Sequence, residues 1–491
     1  MKGRIMLQGT MSNVGKSFLT AALCRILHVD GIPCAPFKAQ NMALNSYITP
    51  DGLELGRAQA MQAQAAGLEP DVRMNPVLLK PTTDTGSQVI VRGRVHSDMG
   101  AVPYFRYRHR LMPVILECYR SLQAQYDVLV IEGAGSPCEL NLRRDDIVNM
   151  GLARAVGAPV LLIGDIDRGG IFAQLLGTLS LLEPEERSLV RGLIVNNFRG
   201  DASLFDEGVR ILEERSGLPV LGVIPHLTCE LEDEDSLSAK LHAATGEGVD
   251  IAVIRLPRLS NFTDLDPLTQ YDGVRVRYVD APSRLGIPDL IVLPGTKSTI
   301  ADGRFLQESG LGAAIVRLHA LGVPVFGICG GYQLMGCTVS DPEGVEGGGS
   351  IRGLGLLAGE TVLAGEKHRS RTQGTCLVQE GFFSCLHGAH FSGYEIHHGV
   401  TDDPGPPLTT AGGSVCGHAA GCYIHGFFDR AQVSGALIRA LCERRGLPFA
   451  GGGLDRDAFR ETQFAALAEG VRAHLDMARV RRIMEEDVHG A

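Results

Sequence analysis

The chain has 491 residues, 44% hydrophobic and 21% charged, with a formal net charge of −10 at pH 7. At about 150 residues per domain this predicts about three domains' worth of chain and more than one core, and the composition is that of a globular protein, not a low-complexity one. The acidic balance argues against a nucleic-acid partner, which needs clustered Lys and Arg, and no apolar run approaches the roughly 18 residues of a membrane span.

The opening M-K-G-R-I-M-L-Q-G has no apolar run of signal-peptide length and is expected to start the fold as a strand at Ile5–Leu7. A Gly-containing loop follows, then a helix from about Lys16 to His28. Short apolar runs recur at Pro33–Phe37, Val128–Ile131, Val160–Ile163, Leu193–Val195 and Val220–Val223, separated by amphipathic stretches. This alternation predicts a parallel sheet with helices on both faces, whose ligands bind beyond the carboxyl ends of the strands. The composition shifts at Glu230–Gly248, acidic and then small and flexible, which predicts a domain boundary. A second alternation starts at Ile251–Ile254 and continues through Val274–Tyr278, Leu290–Leu293 and Val323–Ile328. Thr361–Val400 is more β-like, Gly344–Gly349 is a Gly-rich loop of no evident use, and the stretch from about Gln432 onward is helical in pattern. The expected organisation is α/β with two largely parallel sheets: a domain over 1–235, a linker over 236–249, a second domain over 250–435, and a helical segment over 436–491 expected to pack against the second domain. The twelve cysteines include no C-x-x-C pair, so reduced thiols and a cytoplasmic location are expected.

The loop after the first strand is Gly9-Thr10-Met11-Ser12-Asn13-Val14-Gly15-Lys16-Ser17. Glycines let backbone N–H groups approach phosphates, and the following helix offers its positive end. Lys16 would reach the β/γ-phosphates of ATP and Ser17 would hold Mg²⁺. Five residues, not four, separate the two glycines, so the strict phosphate-loop spacing fails. Glu132, in V-I-E-G-A-G-S at another strand end, is a second candidate metal ligand. Lys38 could neutralise a transferring phosphoryl group, and Asn196 and Asn197 could read adenine. Asp165 and Asp167 could be metal ligands or turn formers.

Val325-Phe326-Gly327-Ile328-Cys329-Gly330-Gly331-Tyr332-Gln333 is the most specific signal in the chain. Small residues around Cys329 permit a sharp strand-to-helix turn that projects the thiol. The helix start favours a thiolate, and the Gly330 N–H points where an oxyanion would form. A thiol nucleophile needs a base. His425, His397, His398 and His368 are all available, and spacing alone does not choose among them. The His397–His398 pair beside Glu395 also invites a metal reading, but adjacent residues of a strand point to opposite faces.

The loop G-T-x-x-x-V-G-K-S and the E-G-A-G segment resemble dethiobiotin synthetase. G-I-C-G-G-Y-Q with a late H-G-F resembles the class I (triad) glutamine amidotransferases. That resemblance implies Cys329 as nucleophile, His425 as base and Gly295, in L-P-G-T-K-S, as part of the oxyanion hole. Most of that class carry Glu two residues after the His, where this chain has Phe427. Either another carboxylate, with Glu395 a candidate, orients His425, or a dyad suffices. Nearly the whole chain resembles the cobyric acid synthase family, through F-K-A-Q-N-M-A-L-N-S, D-I-D-R-G-G-I-F, V-N-N-F-R-G-D, P-G-T-K-S-T and G-Y-E-I-H. The resemblance implies ATP- and glutamine-dependent amidation of the b, d, e and g carboxylates of a corrinoid, adenosylcobyrinic acid a,c-diamide. Alternatives are a cobyrinic acid a,c-diamide synthase and a regulatory ATPase with an inert glutaminase-like domain. No membrane partner is expected, and the oligomeric state is open.

Overall fold

A computed structural model describes residues 3–82, 85–231 and 248–486. Most of the expected linker over 236–249 lies outside the described residues. The chain divides into two compact units, one of Met1–Ala43, Leu53–Glu234 and Arg460–Ala491, the other of Leu44–Gly52 and Asp235–Phe459. Each is α/β.

The first unit is built on six parallel strands: β1 (Gly3–Gly9), β2 (Cys34–Phe37), β3 (Val128–Glu132), β4 (Val160–Asp165), β5 (Val190–Phe198) and β6 (Val220–Pro225). Their spatial order is β6-β5-β4-β1-β3-β2. β1 sits centrally, paired in parallel with β4 and β3. Val128–Ile131 and Val160–Ile163 are completely buried, which is why these strands are apolar throughout and do not alternate. Helix α1 (Lys16–Val29) covers one face through Leu19, Leu23, Ile26 and Leu27.

The C-terminal helices, expected against the second domain, belong to this first unit from Arg460 on. Helix Arg456–His474 presents Phe464, Leu467 and Val471 at helical spacing, and Met477–Glu485 adds Val480, Ile483 and Met484. These pack with Ile5, Leu7 and α1 in one core. Leu475, between the helices, forms an antiparallel bridge with Gly222 of β6. The helical pattern was legible in the sequence; which apolar face it would cover was not.

The second unit has a sheet built on β7 (Val249–Ile254), β8 (Val274–Val279), β9 (Leu290–Leu293), β10 (Val325–Ile328) and Ala419–Cys422, ordered β8-β7-β9-β10-(419–422) and all parallel. Strands Gly412–Cys416 and Pro407–Thr409 extend it antiparallel. Helix α2 (Gly330–Met335) follows β10 directly. A separate ribbon pairs β11 (Glu360–Thr375) with β12 (His390–Asp402), antiparallel. β12 in turn pairs with Ile424–His425, setting Tyr394 opposite His425.

Candidate active site

In the first unit, the groups predicted to meet a nucleotide gather at the carboxyl edge of the sheet. Gly15, at φ 93°, turns the chain into α1, and a β-carbon there would lie 2.3 Å from Nδ2 of Asn196. That amide donates to the Val14 carbonyl at 2.8 Å and so braces the loop. The Thr10 hydroxyl donates to Gln174 Oε1 at 3.1 Å, Val14 is fully buried, and Ser12 and Asn13 stand exposed at the tip. Lys16 Nζ donates to the carbonyls of Met11 (3.0 Å) and Gly135 (3.2 Å), which holds its ammonium over the loop. Gly9 ends β1 directly beneath that ammonium: a β-carbon there would be 3.0 Å from Lys16 Nζ.

Glu132 ends β3 almost fully buried. Its Oε1 accepts from Ser17 Oγ at 2.8 Å and pairs with Lys38 Nζ at 2.9 Å, while its Oε2 accepts from Gln62 Nε2. Charge-assisted bonds of this kind offset the cost of burying a carboxylate, and removing one partner would leave the other charge uncompensated. Ser17 Oγ and Glu132 Oε1 are adjacent oxygen donors, the ligand type Mg²⁺ takes. Asp165 and Asp167 form the turn after β4: the Asp167 N–H donates to Asp165 Oδ1, Asp165 pairs with Arg168 and Asp167 with Arg199.

In the second unit, Cys329 has φ 51° and ψ −110°. A non-glycine residue there is strained, and the strain aims the thiol outward from the turn. Crowding around the turn leaves no room for larger residues: a β-carbon on Gly330 would be 2.5 Å from Thr296 Cγ2. Gly295 lies on the same side, where a β-carbon would be 3.0 Å from Cε1 of His425. So Cys329, Gly330, Gly295 and His425 come together from three strand ends. Asp302 braces the Gly295 loop, its buried Oδ2 accepting from the Thr296 hydroxyl and the Arg258 N–H.

The carboxylate that orients His425 is Asp264, not Glu395, and the alternative of a bare dyad also fails. Asp264 Oδ2 is 2.7 Å from His425 Nδ1, and its Oδ1 accepts from the Gly426 N–H at 3.0 Å. Both side chains are buried. Asp264 lies in the short helical segment Phe262–Gln270 that follows β7. Glu395 turns instead toward His397 and His368. Phe427, at the position expected for Glu, is fully buried and stacks on Phe326 at 5.3 Å. Burial disfavours the charged imidazole of His425, but Asp264 and Cys329 beside it outweigh burial and raise its pKa to about 10. The arrangement favours the protonated imidazole, and the Cys329 thiol also contacts the Ile396 carbonyl at 3.6 Å.

Sequence reasoning missed Asp264; the available signal was N-F-T-D beyond the carboxyl end of β7. It also missed Leu44–Gly52, which leaves the first unit after Ala43 and joins the second. Ser46 N–H donates to Asn261 Oδ1 at 3.0 Å, and the Tyr394 hydroxyl donates to the Ser46 carbonyl at 2.9 Å. Tyr394 stacks on His425 at 5.3 Å, and the Asn261 carbonyl accepts from the Asp264 N–H. This segment therefore supports both the aspartate and the imidazole.

Residues 250–433 match a CobB/CobQ-like glutamine amidotransferase domain, and residues 5–236 match a CobQ/CobB/MinD/ParA nucleotide binding domain. The chain thus falls in the class of ATP-dependent glutamine amidotransferases. It is 49% identical to a cobyric acid synthase of Lachnoclostridium phytofermentans, over 99% of this chain and 100% of the relative. It is 49% identical to one of Photorhabdus laumondii, over 99% of each, and 47% identical to one of Ruminiclostridium cellulolyticum, over 99% of this chain and 97% of the relative. The chain belongs to the cobyric acid synthase family.

Proposed function

We propose that this chain converts adenosylcobyrinic acid a,c-diamide to adenosylcobyric acid by amidating its b, d, e and g carboxylates in cobalamin biosynthesis. The full-length similarity to cobyric acid synthases supports the substrate. The observation that carries the chemistry is the Cys329–His425–Asp264 array beside Gly330 and Gly295. It gives the glutaminase domain a complete set of catalytic groups and so disfavours the inert-domain alternative.

The Cys329 sulfur attacks the glutamine amide carbon, and the N–H groups of Gly330 and Gly295 receive the developing oxyanion. His425 holds the thiol proton and delivers it to the leaving nitrogen as the C–N bond breaks, releasing ammonia. Asp264 keeps the ring oriented and stabilises its charged form. Water then hydrolyses the thioester to glutamate.

In the first unit the backbone of 9–15, with Lys16, cradles the phosphates of ATP. A substrate carboxylate oxygen takes the γ-phosphoryl group with release of ADP, and ammonia displaces phosphate from the acyl phosphate. Ser17 and Glu132 would hold Mg²⁺, which supplies charge neutralisation on the phosphates. Lys38, buried against Glu132, holds that carboxylate in place. Asn196 acts by holding the loop through Val14. Twelve free thiols fit a reducing cytoplasm, and no described helix is long and apolar enough to cross a membrane.

The test is mass spectrometry of cobyrinic acid a,c-diamide and its adenosyl form after incubation with enzyme, ATP, Mg²⁺ and glutamine. Successive carboxylate-to-amide shifts ending at the fourth are expected. Glutamine hydrolysis with no shift would overturn the acceptor assignment, and amidation of cobyrinic acid itself would favour the a,c-diamide synthase.

A further inference from the structure

We propose that His368, Glu395 and His397 form a binding site for a divalent transition-metal ion of the zinc type. The register of β11 and β12 sets His368 opposite His397 and Ser370 opposite Glu395. Residues opposite one another, and those two along, share a face of the ribbon. His398 takes the other face, with Nδ1 against the Ala364 carbonyl, so the second imidazole comes from across the ribbon and not from the adjacent residue. Glu395 Oε2 lies 3.4 Å from His397 Nε2 and 3.6 Å from His368 Nε2. A tetrahedral ion with ligands at about 2.0–2.2 Å holds its neighbours about 3.3–3.6 Å apart, which both carboxylate–imidazole spacings match; all three ligand atoms lie within 4.8 Å of one another, with the Ser370 hydroxyl also 3.0 Å from His368 Nε2.

Proton placement gives a second, independent argument. His397 Nδ1 is 3.0 Å from the Gly399 carbonyl, which can only accept, so Nδ1 carries the hydrogen. Nε2 is then the ring nitrogen turned toward Glu395 Oε2. An Nδ1–H bond to a carbonyl is also the arrangement that fixes the tautomer of metal-binding histidines. Tyr423 stacks on the same ring, centroids 3.7 Å apart and planes 15° apart, and fixes its rotation. The side chains of His397 and Glu395 are 9% and 14% exposed and that of His368 is 53% exposed, so the cluster opens to solvent on one side. Three protein ligands and an open position are the pattern of an exchangeable site, and two imidazoles with one carboxylate select zinc, cobalt or nickel over magnesium. Ile396, whose carbonyl meets the Cys329 thiol, stands between two of the ligands, so an ion here would stiffen the strand beside the nucleophile.

The test titrates Co²⁺ alone into the full EDTA-treated chain with Mg²⁺ in excess, followed by absorption. One equivalent should give ligand-field bands in the visible without the near-ultraviolet sulfur-to-cobalt band that cysteine ligation produces. His368→Ala and Glu395→Gln should each weaken binding at least about tenfold, and His368→Ala should hydrolyse glutamine at the parent rate in metal-free buffer. Equal binding by parent and both variants, a sulfur-to-cobalt band, or no binding by the parent would overturn the proposal. Should Glu395→Gln not fold, the solvent-facing His368→Ala decides alone.

Discussion

The phosphate loop and the thiol turn use one architectural device for opposite ends. In each, a buried parallel strand stops at the carboxyl edge of its sheet and the chain turns abruptly into a helix. At the first, the residue before the helix is Gly15, at φ 93°, where glycine is at ease; at the second it is Cys329, at φ 51°, where a side chain is strained. The relaxed turn adds no side chain at the bend, where a β-carbon would meet Asn196. The strained turn presents one side chain and fixes its direction. Their supports differ as well. Glu132 is held by Ser17, Lys38 and Gln62, whereas His425 is held by a single carboxylate and a stacked tyrosine.

The largest expected effects would separate the two turns. Cys329→Ala should lower glutamine-dependent amidation by at least about 10³-fold while ammonia-dependent amidation persists; loss of both would refute separate sites. Lys16→Ala should lower both amidations by at least about 10²-fold and leave glutamine hydrolysis measurable. Amidation that survives that change would break the phosphate-loop assignment.

Next is Asp264→Asn, expected to cost about 10²–10⁴-fold in glutamine hydrolysis, as loss of an orienting aspartate does elsewhere. It has a pH signature that a folding defect lacks. Asp264 and Cys329 outweigh burial and hold the His425 pKa at about 10, above the unfolded value of about 6.5. Stability drawn from this pair is therefore complete below about pH 6.5 and is lost as pH rises through about 10. In Asp264→Asn the alkaline limb of the kcat/KM profile should move to lower pH. A limb that stays in place would mean that Asp264 does not set the charge of the ring.

The smallest effect concerns Leu44–Gly52. Asn261 has φ 51°, which glycine tolerates, so Asn261→Gly removes its bond to Ser46 with little backbone strain. Loss of one buried hydrogen bond, about 1–2 kcal/mol, should lower kcat for glutamine hydrolysis about 5–30-fold with little change in KM. Ammonia-dependent amidation should be unchanged. A rise in KM alone would assign the segment to glutamine binding instead.

The sequence by itself determined both strand–turn–helix devices, because each is written in consecutive residues: Gly15-Lys16-Ser17 and Gly327-Ile328-Cys329-Gly330 are local conformational requirements. It also determined the parallel sheets, through short apolar runs ending at polar residues. Glu132 was legible because it directly ends an apolar strand. Tertiary structure alone decided that Asp264, more than 150 positions before His425 and on another segment, completes the thiol site. It alone decided that Phe427 turns into the core, that Leu44–Gly52 joins the second unit, and that the last two helices cover the first sheet. A carboxylate or an apolar stripe carries no record of its partner. Which group it meets is settled by packing between segments distant in the chain, where only the folded arrangement makes one pairing the least costly.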